Sequence, residues 1–225
     1  MSSDTTKNIR VLSTKKLSTK QRKLLTSSGT TYTEYSAISI SFPAFIAPRT
    51  IENAIFTSQN AVRAIKGHDI TIENSFCVGE RTKANLLKSG QKNIKTANNA
   101  LELAHFILKN YKNEHFHFFC GNMRREEIPS LFTANDISFS EIEVYKTTLN
   151  RQSFAQSFNG ILFYSPSGVQ SFVSHNSLEN STAFCIGETT AMEAKKHANS
   201  VIVASNTTVE SVIAKTVETL INTYD

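Results

Sequence analysis

The chain writes one strand–turn–helix phrase twice, and this repetition restricts its possible folds more than any other feature. An apolar run ending in hydroxyls, Ala54-Ile55-Phe56-Thr57-Ser58-Gln59-Asn60-Ala61-Val62, returns as Ile161-Leu162-Phe163-Tyr164-Ser165-Pro166-Ser167-Gly168-Val169. A second phrase, Ser75-Phe76-Cys77-Val78-Gly79-Glu80-Arg81-Thr82, returns as Ala183-Phe184-Cys185-Ile186-Gly187-Glu188-Thr189-Thr190, with Cys77 and Cys185 108 positions apart. Asn98 and Glu102 recur as Asn206 and Glu210 at that same offset. Shared spacing over three elements predicts two similar α/β lobes and a cleft between them.

Short apolar runs alternate with longer segments that carry apolar residues at helical spacing, the pattern of βαβ units around a parallel sheet. Strands are expected near 9–13, 54–57, 75–78, 93–96, 116–120, 160–164, 183–186 and 200–204. Helices are expected over 19–27, 60–66, 81–89, 99–110, 124–133, 167–174, 190–197 and 209–222. Two segments break the rhythm, Thr33 to Phe42 and Glu141 to Leu149, where apolar and polar residues alternate as in strands with one wet face. They bracket the first copy of the repeat and therefore read as the two crossings between lobes. The expected fold is α/β, with two similar flavodoxin-like parallel-sheet lobes joined by a two-stranded antiparallel connector. Lobe one takes 1–35 plus 150–225, lobe two is the inserted stretch 43–141, and 36–42 and 142–149 are the connector. The connector is expected to be thin and backed by little core.

Composition narrows the function classes. At 225 residues each lobe is large enough to bury its own core, and 40% hydrophobic with 19% charged residues describes an ordinary globular chain. A formal charge of +5 favours anionic partners. The basic residues are scattered without an aromatic ladder, which argues against nucleic acid. No apolar stretch approaches the roughly 18 residues of a spanning helix, and the polar N-terminus lacks a secretory apolar core, so no membrane role is expected and the protein reads as cytoplasmic. Three cysteines, Cys77, Cys120 and Cys185, end apolar runs and read as reduced buried thiols. No CxxC or HExxH spacing points to a metal.

In open α/β sheets ligands bind beyond the carboxyl ends of the strands, where helix N-termini present free N–H groups. Those ends carry Thr14, Thr57, Ser58, Gly79, Thr82, Gly121, Ser165, Gly187, Thr190, Thr207 and Thr208. Helix capping explains each hydroxyl singly, and anion binding explains why both lobes carry the same set. Lys15, Lys16, Arg63, Arg81, Arg124 and Arg125 lie near the same helix starts, as ligand contacts or as solvated surface, with Glu126, Glu127 and Glu80 available to compensate them. No nucleotide-phosphate loop and no ordered Ser/His/Asp set is present.

The bilobal repeat, the Phe56–Val62 phrase with its partner Phe163–Val169, the Gly79/Thr82 and Gly187/Thr190 turns, Val144-Tyr145-Lys146-Thr147 and Thr207-Thr208-Val209-Glu210-Ser211 together resemble uroporphyrinogen-III synthase. The resemblance covers nearly the whole chain. It implies a cofactor-free lyase of tetrapyrrole (heme) biosynthesis that dehydrates linear hydroxymethylbilane and closes it with the terminal pyrrole inverted. The substrate carries eight carboxylates, which fits a rim of amides, hydroxyls and cations. The resemblance also implies a catalytic role for Tyr145, which would help the hydroxyl leave. Contacts to substrate would fall to Lys15, Thr57, Ser58, Gly79, Thr82, Ser165, Gly187, Thr190, Thr207 and Thr208. Lys15 stands where many relatives carry arginine, which exchanges a bidentate fork for a point charge. A monomer in transient contact with the preceding pathway enzyme is expected. A non-catalytic bilobal binder of a small polycarboxylate, or a scaffold for a protein partner, would use the same lobes.

Overall fold

Each apolar run of the sequence becomes a strand whose side chains alternate between two helical layers. The computed structural model describes residues 9–222; the outermost parts of the expected lobe one, 1–8 and 223–225, lie outside the described residues. In chain order, β1 (Arg10–Ser13), α1 (Thr19–Thr26), β2 (Thr31–Glu34) and β3 (Ile38–Ser41) come first. They are followed by β4 (Thr50–Phe56), α2 (Gln59–Ile65), β5 (Thr71–Val78), α3 (Glu80–Lys88), β6 (Asn93–Ala97), α4 (Ala100–Asn110), β7 (His115–Gly121), α5 (Glu127–Ala134) and β8 (Ser138–Leu149). The chain continues with β9 (Gly160–Phe163), α6 (Pro166–Val173), β10 (Thr182–Cys185), α7 (Glu188–Ala194), β11 (Ser200–Val203) and α8 (Val209–Asn222).

The chain divides into two compact units: unit 1 takes the described part of Met1–Ser39 and Thr148–Asp225, and unit 2 is Ile40–Thr147. Both bounds fall inside the crossing segments 36–42 and 142–149. Unit 1 has a five-stranded sheet ordered β11-β10-β9-β1-β2, with every neighbouring pair parallel. Unit 2 has a six-stranded sheet ordered β3-β8-β7-β4-β5-β6, parallel from β8 through β6.

The repeated phrases occupy equivalent places. Phe56 lies opposite Cys77 across β4 and β5, and Phe163 lies opposite Cys185 across β9 and β10. When β9, β10, β11, β1 and β2 are matched to β4, β5, β6, β7 and β8, the spatial order of the two sheets is the same. The units are therefore one architecture with the chain entering at different strands. The helices obey the same match. In unit 1, α6 and α7 (Val169, Phe172, Ala191, Ala194) cover one face and α1 and α8 (Leu25, Val212, Ile213, Leu220) the other. In unit 2, α2 and α3 (Ala61, Val62, Leu86) cover one face and α4 and α5 (Leu103, Ile107, Ile128, Phe132) the other. Burial on both faces is why the central strands read as continuous apolar runs.

Two expectations are corrected. Thr33 to Phe42 is not one alternating strand: β2 pairs in parallel with β1 and belongs to the sheet of unit 1, and β3 begins four residues later. The break is fixed by the end of β1, where Ser13 O accepts from Tyr35 N at 3.1 Å and Thr14 O from Ala37 N at 3.0 Å. Tyr35 and Ala37 are thereby pulled into the core. The second crossing is also no thin ribbon. β8 runs for 12 residues, pairs with β7 from Ser138 to Tyr145, and buries Ile142 and Val144 beneath α2 and α3. β3 lies beside β8 at the sheet edge.

Candidate functional site

The two sheets turn direction at matching places. From β1 the chain proceeds outward to β2 on one side, and from β9 to β10 and β11 on the other, so the turning point of unit 1 lies between β1 and β9. In unit 2 it lies between β7 and β4. Crevices at such points, beyond the carboxyl ends of the strands, are where open α/β sheets bind ligands.

In unit 2 the turning point holds Thr57, Ser58, Gly121 and Tyr145. Ser58 follows β4 and caps α2, its Oγ accepting from Asn60 N at 3.1 Å. Tyr145 stands on β8, with β7 between it and Ser58 in the sheet. The tyrosine ring nevertheless packs beside Ser58, because the intervening residue of β7 is Gly121 and the ring occupies the place of its missing side chain. Burial raises the Tyr145 phenol above its ordinary range, and the nearby Ser58 hydroxyl opposes only part of the shift. At neutral pH this phenol is a proton-bearing donor. Two residues singled out from separate parts of the sequence thus meet here. The Thr57 hydroxyl, half-buried beside them, has no protein partner among the described residues.

The turning point of unit 1 is built from Ser13, Thr14, Tyr164 and Ser165. Ser165 caps α6 by accepting from Gly168 N at 3.1 Å, and its Oγ lies 3.1 Å from Ser167 Oγ. Pro166 follows at the first helical position, where its fixed φ suits the turn. Thr14 is committed to structure, donating from Oγ1 to Leu162 O at 2.7 Å. Tyr164 lies with its hydroxyl 3.3 Å from Ser13 Oγ, and burial pushes that phenol far up. Neither Ser13 nor Tyr164 was expected from the sequence as a site residue. Tyr164 carried a signal, since it holds the position matched by Thr57 in the repeat. Lys15 is exposed just beyond β1.

The paired glycine turns carry the remaining candidates. Thr82 N donates to Gly79 O at 3.0 Å and Thr190 N to Gly187 O at 3.1 Å, so the two turns open α3 and α7 alike. Thr82 and Thr190 are only 4% and 1% exposed, which leaves little of either hydroxyl to solvent. Gly79 N is itself bonded to Ala97 O at 2.9 Å, so the amides left open in that turn are those of Glu80 and Arg81 at the start of α3. Thr208 caps α8 by accepting from Ser211 N at 3.1 Å, and exposed Thr207 sits beside Gly187. Capping therefore accounts for Ser58, Ser165 and Thr208 in the structure as described, leaving their remaining lone pairs and the adjacent amides to a ligand.

The cations divide in two. Arg124 is held by Glu126 at 2.6 Å and forked onto Glu141, with Nε–Oε1 2.5 Å and Nη2–Oε2 2.8 Å. That pairing, Glu141 foremost, raises its pKa further. Arg125 pairs with Glu127 at 3.4 Å, whereas Glu80 meets Lys83 at 3.4 Å, not Arg81. Arg63 lies over the Phe42 ring. Lys15 and Arg81 are exposed and have no acidic partner among the described residues. The thiols are inert: burial pushes Cys120 up to about 11 and Cys185 up to about 12, and raises Cys77. Among the described residues no group of three His, Cys, Asp or Glu could hold a metal, and no helix is long and apolar enough to cross a membrane.

Comparison with known proteins identifies the architecture. The structure is similar to uroporphyrinogen-III synthetase from Helicobacter pylori, with a TM-score of 0.65 at 17% identity over 94% of this chain and 99% of that one. It is also similar to a mutant uroporphyrinogen III synthase from Thermus thermophilus, with a TM-score of 0.70 at 10% identity over 95% and 99% of the two chains. At such identities these likenesses speak to fold. No curated protein matches the chain in sequence. The family model for uroporphyrinogen-III synthase HemD matches residues 20–214, nearly the whole described chain, and the protein accordingly belongs to the uroporphyrinogen-III synthase family.

Proposed function

We propose that the strand-end rims of the two units hold substrate carboxylates while Tyr145 assists loss of the substrate hydroxyl, in the reaction that defines the family. That reaction eliminates water from linear hydroxymethylbilane and closes the macrocycle with its last ring inverted, to give uroporphyrinogen III. The observation that carries the reading is the meeting of Tyr145 with Ser58 where the strand order of unit 2 turns.

The roles follow from the groups present. Pyrrole nitrogen expels the hydroxyl and leaves an azafulvene cation, so the enzyme needs a hydrogen-bond donor for the leaving oxygen more than a strong acid. A phenol held protonated by burial supplies that donor. The Ser58 hydroxyl lies near enough to the phenol to help orient it. The substituted carbon of the terminal pyrrole then attacks, and the spiro intermediate fragments and recloses. Which product forms depends on how the flexible chain is folded before attack, so positioning decides chemistry here as well as rate. Positioning falls to the helix-start amides that follow Gly79, the amides of the Gly187 turn, the hydroxyls of Thr57, Ser58, Ser165, Thr207 and Thr208, and the Lys15 ammonium. Thr82 and Thr190 set the two glycine turns and contribute whatever part of their hydroxyls those turns leave open.

The reading extends to hydroxymethylbilane taken up by a monomer in the cytoplasm, in transient contact with the enzyme that makes it. A net charge of +5 suits an eightfold anionic substrate. Incubation with freshly generated hydroxymethylbilane, followed by resolution of the oxidised porphyrins, tests the assignment. Enrichment of isomer III over the spontaneous isomer I is expected. Saturable binding of the bilane with isomer I alone would reduce the protein to a carboxylate binder.

A further inference from the structure

We infer that Gly121 and Asn122 are positioning residues for Tyr145, and that together they fix its hydroxyl at the turning point of unit 2. The inference rests on the role given above to Tyr145 and adds the residues through which that role is achieved.

Left alone, a tyrosine on β8 would point its ring away from the sheet over its own strand. Three features redirect this one. The register between β7 and β8 slips beside it: Cys120 lies opposite Glu143, but the next residue, Gly121, lies opposite Tyr145. β8 therefore spends an extra residue, Val144, which is fully buried in the core of unit 2. Such bulges re-aim side chains at strand ends. Gly121 then provides the room. A Cβ at this position would lie within 2.9 Å of three atoms of the Tyr145 ring, so any other residue would push the ring off the strand end. The φ of Gly121 is not in the left-handed region, which leaves this close approach as the structural demand for glycine here.

Asn122 closes the arrangement. Its Oδ1 accepts from Thr147 N at 2.8 Å, and its Nδ2 donates to Thr147 O at 3.2 Å. Its backbone N donates to Tyr145 O at 3.4 Å. One side chain thus imitates a further strand residue, pairing with both polar groups of Thr147 just past the point where β7 ends. The backbone on the C-terminal side of Tyr145 is tied down by these bonds, and the bulge with Val144 anchors the other side. Asn122 itself is exposed, and its amide contributes little to the core. Its hydrogen bonds are spent on geometry, and a donor displaced by about 1 Å loses much of its catalytic effect.

The test is a kinetic double-mutant cycle with hydroxymethylbilane as substrate, each variant being checked first for an unchanged far-ultraviolet spectrum and a cooperative melt. Asn122→Ala should lower kcat about tenfold with KM within about twofold, because substrate contacts are untouched. Gly121→Ala should lower kcat at least as far. Asn122→Asp keeps the acceptor for Thr147 N and loses the donor to Thr147 O, and it should fall between wild type and Asn122→Ala. Adding Asn122→Ala to Tyr145→Phe should cost nothing further, since the hydroxyl it positions is already gone. Full loss in the double variant, with the two factors multiplying, would overturn the inference, as would wild-type kcat in Asn122→Ala. A fully active Tyr145→Phe would instead overturn the underlying role of Tyr145, which separates the two failures.

Discussion

Gly79 and Gly187 occupy matching turns in different regions of backbone space. Gly79 has φ +84°, where a side chain is strained whatever room surrounds it; Gly187 has an extended φ of −176°. A Cβ on Gly187 would make an ordinary contact at 3.5 Å with Thr207. Gly79→Ala should therefore destabilise by about 1 kcal/mol, and Gly187→Ala by about 0.5 kcal/mol or less, as read from urea unfolding midpoints. At the same scale, Tyr145→Phe should slow turnover by one to two orders of magnitude, about 1.4–2.7 kcal/mol. It should cost about 1 kcal/mol or less of stability, so comparing kcat with the unfolding curve separates chemistry from packing. The sequence showed Tyr145 and Ser58 as candidates but not their meeting, which depends on a glycine and a bulge in the strands between them. Capping by Ser58, Ser165 and Thr208 was one of two readings open in the sequence, because Ser and Thr are preferred before a helix. The burial of Thr82 and Thr190 was not legible, because their position three residues into a helix does not by itself say which way the turn is packed.

Among elements, β2 shows how a hidden strand can be held by polar contacts. Glu34, at its end, accepts from Leu17 N at 3.1 Å and is forked by Arg22, at 3.3 Å from Nε and 2.6 Å from Nη2. Burial would raise this carboxyl, but Arg22 and the Leu17 amide outweigh it and hold it below the ordinary range. With a lowered folded-state value, the stabilisation is present above the unfolded carboxylate pKa of about 4.3 and fades as pH falls through the folded value. Glu34→Gln should cost about 1 kcal/mol at pH 7, the exposed side of Arg22 being screened. The gap between variant and wild type should narrow as pH falls below the unfolded carboxylate value and on through the folded one; a gap that is constant with pH would mean that only shape is lost. The central strands were legible from their apolar runs alone. β2 was not, because Thr-Tyr-Thr-Glu has the alternation of a half-wet strand, and only its pairing with β1 assigns it to the sheet of unit 1.

At the scale of the whole molecule, the repeat predicted two lobes from three short phrases, and the register of Phe56 with Cys77 and of Phe163 with Cys185 shows why those phrases recur. Each sits where one central strand meets its neighbour beneath the helices. The basic residues just past both strands already matched β1 to β7; what the repeat alone could not reveal is that β2 stands for β8, since those two strands share little sequence and are matched only by place in the sheet. Unit 2 is a single stretch with helices on both faces of its own sheet. A fragment spanning 38–149, which includes all six strands of that sheet, should therefore fold alone, giving a cooperative melt and protected strand amides. A molten spectrum from that fragment would show that unit 2 depends on its neighbour.

Because unit 1 is assembled from strands on either side of unit 2, its manufacture has a forced order. On the ribosome β1 and β2 emerge before the inserted unit, while the strand that should flank β1, β9, has yet to be translated. At roughly 5–20 residues per second this wait lasts several seconds, long enough for the inserted unit to complete itself. Until β9 emerges, the backbone groups of β1 that it will engage lack their native partner, an opening for mispairing in every round of translation.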